Sequence, residues 1–85
     1  MTIELYGVAR IRARVHRVEI PAGTLGQAIA GLAVVCPALS GTVVIAGGIH
    51  PAFRLSLNGD RFVSDPATLL TDDDVLLLIS ADAGG

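Results

Sequence analysis

An α+β fold, a mixed sheet of four to five strands packed on one main helix, is predicted by three features of the sequence. Ile3–Val8 and Phe53–Leu57 alternate apolar and polar residues with the period of two that marks a half-buried strand. One stretch, Leu25 to Cys36, carries its apolar residues at intervals of three and four, the spacing of a helix stripe. The run Val75–Ser80 is apolar on both faces, as in a strand covered on both sides in the middle of a sheet.

The first strand places Ile3 and Leu5 on one face and Glu4 and Tyr6 on the other. Ala9 to Ala13 reads as an arginine-rich turn. A second strand follows, with His16, Val18 and Ile20 on one face and Val15, Arg17 and Glu19 on the other, pairing with the first as a hairpin. Pro21-Ala22-Gly23 breaks it. Thr24, with Gln27 three residues on, forms the capping box that opens the helix. Leu25, Ala28, Ile29, Leu32, Ala33 and Cys36 make its apolar stripe, and Pro37 ends it. Residues 38–51, with Gly41, Gly47, Gly48 and Pro51 around Thr42–Ala46, read as either a mobile loop or a minor extra strand.

Phe53–Leu57 leads into Asn58-Gly59, a dipeptide suited to the positive backbone angles of a tight hairpin turn, and Arg61-Phe62-Val63 returns as a short strand. A loop over 64–71 and the turn Asp72-Asp73-Asp74 precede the last strand. Strand, strand, helix, strand, strand, strand, with the last one central, is the order of a β-grasp sheet wrapped across one helix. The expected organisation is one such domain over residues 1–80 and a flexible Gly-Gly tail over 81–85.

Composition narrows the functions. Eighty-five residues bury a thin core with little room for an enclosed active site, which argues against a self-contained enzyme. Six Arg against eight Asp plus Glu leave a net charge of −2, and no basic run is present to neutralise phosphates, so nucleic acid is not an expected partner. The one cysteine cannot form an internal disulfide or a thiolate cage, and the N-terminus lacks signal-peptide order, which fits a reducing cytoplasm. The longest apolar run is far shorter than the roughly 20 residues that span a bilayer, so no membrane segment is expected. Every basic residue is an arginine, so chains built through an internal lysine are excluded.

The feature that carries chemistry is Ala83-Gly84-Gly85, after a strong strand and a short spacer. Glycine has no side chain, so such an end can thread a narrow channel and present a terminal carboxylate to a nucleotide in a partner enzyme. A carboxylate is a poor acyl donor until adenylation supplies a leaving group, which a sulfur nucleophile can then displace.

Here the sequence resembles the ubiquitin-like sulfur carriers, the MoaD and ThiS family, over essentially its whole length. The shared features are Leu5-Tyr6-Gly7 to Arg10, Ile20 to Thr24, Leu55 to Gly59, Leu70 to Asp74, and Ala83-Gly84-Gly85. The resemblance implies a protein that is not itself an enzyme and binds no cofactor. A ubiquitin-activating-type adenylyltransferase would use ATP and a sulfur donor to convert its terminal glycine to a thiocarboxylate, and a biosynthetic enzyme would accept the sulfur. Carried over by residue, Gly85 bears the sulfur, and Gly84, Ala83 and Asp82 enter the partners' active sites. Members serving molybdopterin synthesis carry prolines and a valine or isoleucine where this chain has Ser80-Ala81-Asp82. The recipient pathway therefore stays open among molybdopterin, thiamin, cysteine and related products. Two alternatives stand beside the carrier: a modifier joined through Gly85 to lysines of other proteins, and a plain interaction module.

Other residues were weighed for chemistry of their own. Cys36 lies in the helix stripe and reads as packing. His16 and His50 sit on different elements without ligand-spaced partners, so no metal site is expected. Three consecutive aspartates splay apart in a turn, unlike the alternate-position ligands of a calcium loop. Arg10, Arg12, Arg14 and Arg17 form a local basic patch, either a solvated rim or a dock for an acidic partner. Since one helix covers only one sheet face, the outward face is the expected docking surface, with Tyr6, Phe53, Phe62, Leu76 and Leu78 as its candidates.

Overall fold

Alternation in Thr2–Leu5 (β1) buries Ile3 and Leu5 at 1% exposure each and turns Thr2 and Glu4 outward. The computed structural model describes residues 1–46 and 48–81. Glu4 is followed by only one more strand residue before Gly7 adopts φ +58°, a left-handed backbone that a side chain would strain. The chain then coils into a short helix, Gly7–Ala13 (α1), where the sequence suggested a continuing strand and a turn. The physical signal is Ala9 with Ala13 four residues on. Ala9 is fully buried and Ala13 packs against the core, so two small side chains let the helix lie close to the sheet's end. Arg14 closes α1 in the left-handed region, its N–H donating to the Arg10 carbonyl at 2.9 Å.

Arg17–Glu19 (β2) then pairs antiparallel with β1, as expected of the hairpin. Helix Leu25–Val35 (α2) starts at Thr24. The Thr24 hydroxyl accepts from the Gln27 N–H at 3.2 Å, and the Gln27 side chain accepts from the Thr24 N–H at 2.9 Å, completing the capping box. Replacing Thr24 with Ala should cost about 1 kcal/mol in a urea titration, since the Gln27 N–H at the helix start loses its hydroxyl acceptor. Leu25, Ala28, Ile29 and Leu32 face the sheet, and Cys36 is buried at the C-cap. Pro37–Leu39 forms a single 3₁₀ turn that seats Leu39 in the core.

The segment left undecided between loop and strand is a small hairpin of its own, with Val44–Ile45 (β3) paired antiparallel to Gly48–Ile49 (β4). Val43 and Val44 anchor it to the main core. Phe53–Leu57 (β5) and Arg61–Val63 (β6) form the second large hairpin. Asn58 at φ 57° and Gly59 at φ 71° supply the two positive angles of its turn.

Val75–Ser80 (β7) lies in the middle of a five-stranded sheet of order β2-β1-β7-β5-β6, parallel to β1 and antiparallel to β5. This is the β-grasp arrangement expected from the sequence, with α2 across one face. Among the described residues no helix is long and apolar enough to cross a membrane.

One polar cluster locks the start of β7 to the β5–β6 turn. Asn58 donates to Asp74 Oδ1 at 3.0 Å and accepts from the Val75 N–H at 2.8 Å, while the Thr71 N–H donates to Asp74 Oδ2 at 2.7 Å. The Asn58 amide and then the Thr71 N–H hold the Asp74 carboxyl below its ordinary range. A lowered folded value means the unfolded chain binds the proton more readily. The stability gained is present above the unfolded carboxylate value of about 3.9 and is lost as pH falls through the folded one. Glu19, held low first by the Thr2 hydroxyl and then by Arg17, acts in the same direction. Asp74→Asn is therefore expected to flatten, though not abolish, the acid-side decline of the thermal midpoint. A decline as steep as the parent's would contradict this assignment.

Candidate functional site

The register fixes what lies where the chain leaves the sheet. Because β1 and β7 run parallel with Leu5 opposite Leu78, the end of β7 emerges beside Tyr6 and α1. The Tyr6 N–H donates to the Leu78 carbonyl at 3.1 Å. On the other flank Ser80 pairs with Phe53, and the Ala81 N–H donates to the Ala52 carbonyl at 2.8 Å. The exit is therefore framed by α1 on one side and the start of β5 on the other. Asp82, Ala83, Gly84 and Gly85, the residues expected to enter partner active sites and carry the sulfur, lie outside the described residues.

The outward face corrects three of the five expected docking residues. Leu76 and Leu78 are both 0% exposed and point into the core under α2, so they are not docking residues. An all-apolar strand gives no polar residue to set its phase, and the expectation was off by one register step. Leu76 faces Leu57, and Leu78 faces Leu55, whereas Leu77 faces Ser56 and Ile79 faces Arg54. The outward positions are thus Val75, Leu77 and Ile79, each half-buried. The alternation of Arg54 and Ser56 in β5 was the sequence signal that could have set this phase. Phe53 shares the inner face with Leu55 and packs half-buried against the core. Tyr6 and Phe62 are exposed.

The outward surface therefore runs from Tyr6 across Leu77 and Ile79 to Phe62. The Tyr6 hydroxyl donates to Glu4 Oε1 at 2.8 Å, and this bond raises the tyrosine's pKa by tying up its proton. The Arg54 guanidinium sits over the Phe62 ring, 4.9 Å from its centroid. Half-buried aliphatics, bordered by an anchored phenol and a stacked guanidinium, give a small apolar patch with a polar rim, the anatomy of a modest protein interface.

Cys36 is buried, and burial pushes its thiol up, away from the thiolate form that nucleophilic chemistry needs. His50 Nδ1 accepts from the Ala52 N–H at 3.0 Å and its ring stands edge-on to Phe53, so it shapes the β5 entry. Among the described residues no three His, Cys, Asp or Glu converge as metal ligands. A groove of about 480 Å³ between α2, the β3–β4 hairpin and β5–β6 is lined by Ile29, Ile49, Phe53, Phe62 and neighbours, with no nucleophile–base pair among its lining residues.

Comparison with solved structures places this architecture. The crystal structure of SAMP1 from Haloferax volcanii matches with a TM-score of 0.79 at 23% identity, covering 99% of this chain and 97% of that one. The solution structure of the small archaeal modifier protein 1 from Methanosarcina acetivorans matches with a TM-score of 0.78 at 18% identity, covering 99% and 94%. A second crystal structure of the H. volcanii small archaeal modifier protein 1 gives 0.73 at 22% identity, covering 91% of each chain. No protein-family model and no curated protein sequence matches. At these identities the likeness shows the shared ubiquitin-like β-grasp fold.

Proposed function

We propose that this protein is a sulfur carrier activated at Gly85. The observation that carries the reading is the chain's path. The central strand β7 runs out of the sheet between α1 and β5 and leads, after Ala81, into Asp82-Ala83-Gly84-Gly85. In this reading the described body is a docking handle, and the chemistry belongs to a partner, a ubiquitin-activating-type adenylyltransferase, in the cytoplasm.

In the first step a Gly85 carboxylate oxygen attacks the α-phosphorus of ATP. A C–O–P linkage forms, the α–β phosphoanhydride breaks, and pyrophosphate leaves. In the second, hydrosulfide attacks the activated carbonyl, a C–S bond forms, the C–O bond to the phosphate breaks, and AMP leaves with the electron pair. The product is a thiocarboxylate, formed with no net redox change, which a biosynthetic enzyme then consumes.

A second reading is favoured by the similar structures, which are small archaeal modifier proteins. Its first step is the same, and the acyl group then passes to a lysine amine of another protein. This chain has no lysine of its own, so it would be a donor in such a reaction and never a lysine acceptor.

Both readings require ATP–pyrophosphate exchange by the adenylyltransferase of the same cell that depends on this protein. Exchange that rises with its concentration and saturates is the expected result. No exchange, with the enzyme active on another carrier, would leave only the interaction-module reading.

A further inference from the structure

The charges of this molecule are sorted along the sheet. Arg10 and Arg12 on α1, Arg14 at its end and Arg54 in β5 lie toward the end where β7 exits, while Arg17, opposite Glu4 and paired with Glu19, lies mid-sheet, by the registers of β1, β2, β5 and β7. Four of the six basic residues thus lie at that end. Glu19, Asp60, Asp72, Asp73 and Asp74 lie at the opposite end, where β7 begins, and Glu4, which accepts from the Tyr6 hydroxyl, lies nearer the exit.

Among the described residues, the one ion pair is Arg17 with Glu19 at 3.1 Å, and the exposed Arg10, Arg12 and Arg14 have no carboxylate partner among those residues. Val8 and Ile11, 48% and 75% exposed, sit among them. The three cations repel one another, an effect offset in part by their place at the C-terminal end of α1, where the helix carbonyls favour positive charge. The patch lies within a turn of the exit, so a partner that takes Gly85 into a channel must bring its surface against α1.

We propose that α1 is an electrostatic dock: Arg10, Arg12 and Arg14, with Ile11 between them, seat on an acidic, partly apolar surface beside the channel of the enzyme that receives Gly85. This rests on the carrier reading and adds to it the side on which the partner approaches and the charge that partner must carry. The acidic far end completes the device, since it turns the exit end toward a negative surface and disfavours the reverse approach. A polyanionic lipid surface fits less well, because the net charge is −2 and the acidic end would be repelled.

The test uses the full chain carrying Arg10→Glu and Arg12→Glu, its lysine counterpart Arg10→Lys/Arg12→Lys, and the adenylyltransferase of the same cell. The readout is pyrophosphate exchange at varied carrier concentration and salt. The glutamate variant should raise the KM for the carrier by roughly tenfold or more at low salt, with kcat unchanged. The gap should shrink to about threefold or less at 0.5 M NaCl, where screening falls within about 4–5 Å. The lysine variant should stay near the parent. Circular dichroism with a urea titration gives the folded fraction of each variant, and carrier concentrations are corrected by it, because unfolded carrier would itself raise the apparent KM. Parent exchange with an unchanged KM in the glutamate variant would overturn the dock and leave the carrier reading standing, while no exchange with the parent would overturn both. Arginine-dependent sedimentation with phosphatidylglycerol vesicles would overturn the assignment to an acidic protein surface.

Discussion

Deleting Gly84 and Gly85 is expected to abolish pyrophosphate exchange outright and leave the thermal midpoint unchanged. The two halves of that result have separate causes. The last hydrogen bond that ties the described chain to the sheet is from the Ala81 N–H to Ala52, and β7 ends at Ser80, so the core loses no contact seen in the fold. The reacting carboxylate, by contrast, moves back by two residues onto Ala83, which has a side chain and cannot reach as far into a channel shaped for glycine. Circular dichroism on heating and the exchange assay measure the two halves on one preparation. A binding module that works through the sheet face alone would keep its partner's function after the deletion. Retained exchange would exclude Gly85 as the activated residue.

The second large effect separates neighbouring leucines on β7. Leu78→Ser places a hydroxyl and a void in a site that is 0% exposed beneath α2, at a cost of about 3–5 kcal/mol, enough to unfold much of a small domain. Leu77→Ser, one residue away on the outward face, should cost about 1 kcal/mol or less, because the position is half-buried and flanked by Ser56 and Glu4. The functional order is reversed among folded molecules. Leu77→Ser should raise the KM for the carrier about tenfold, as expected of an interface side chain near the patch centre. Urea titration of both variants, followed by exchange kinetics on whichever fold, reads the two effects. Equal destabilisation at both positions would mean that the outward face is covered, contrary to the surface described above.

These contrasts show which parts of the fold local chemistry writes plainly. The capping box at Thr24 and Gln27 and the Asn58-Gly59 turn each need particular atoms or angles at fixed spacing, and both stand where the sequence suggested. Helix α1 was hidden because Ile3 to Val8 alternates like a strand. Its stop at Leu5 is made by the backbone of Gly7 and by the fit of Ala9 against the sheet end, a tertiary contact that a period-two pattern cannot express. The phase of β7 was hidden for the opposite reason: six residues with only one polar member carry no mark of which side is covered. The phase lives in β5, whose Arg54 and Ser56 take the outward side of the same sheet. The β3–β4 hairpin, of two residues a strand, is held by Val43 and Val44 entering the shared core and has too little pattern to announce itself. For the site, the exposure of Tyr6 and Phe62 was legible as surface, Asp82 to Gly85 lie outside the described residues, and the place of Arg10, Arg12, Arg14 and Arg54 toward the exit end emerges only once the strand registers are known.

The most direct test of the carrier reading is the intact mass of the protein after incubation with ATP, sulfide and the adenylyltransferase from the same cell. The reading predicts replacement of one carboxylate oxygen by sulfur, mapped to the peptide ending in Gly85 and lost when Gly85 is deleted. An unchanged mass, with pyrophosphate exchange proceeding and the protein instead appearing in covalent conjugates with lysines of other proteins, would contradict it and make the chain a modifier.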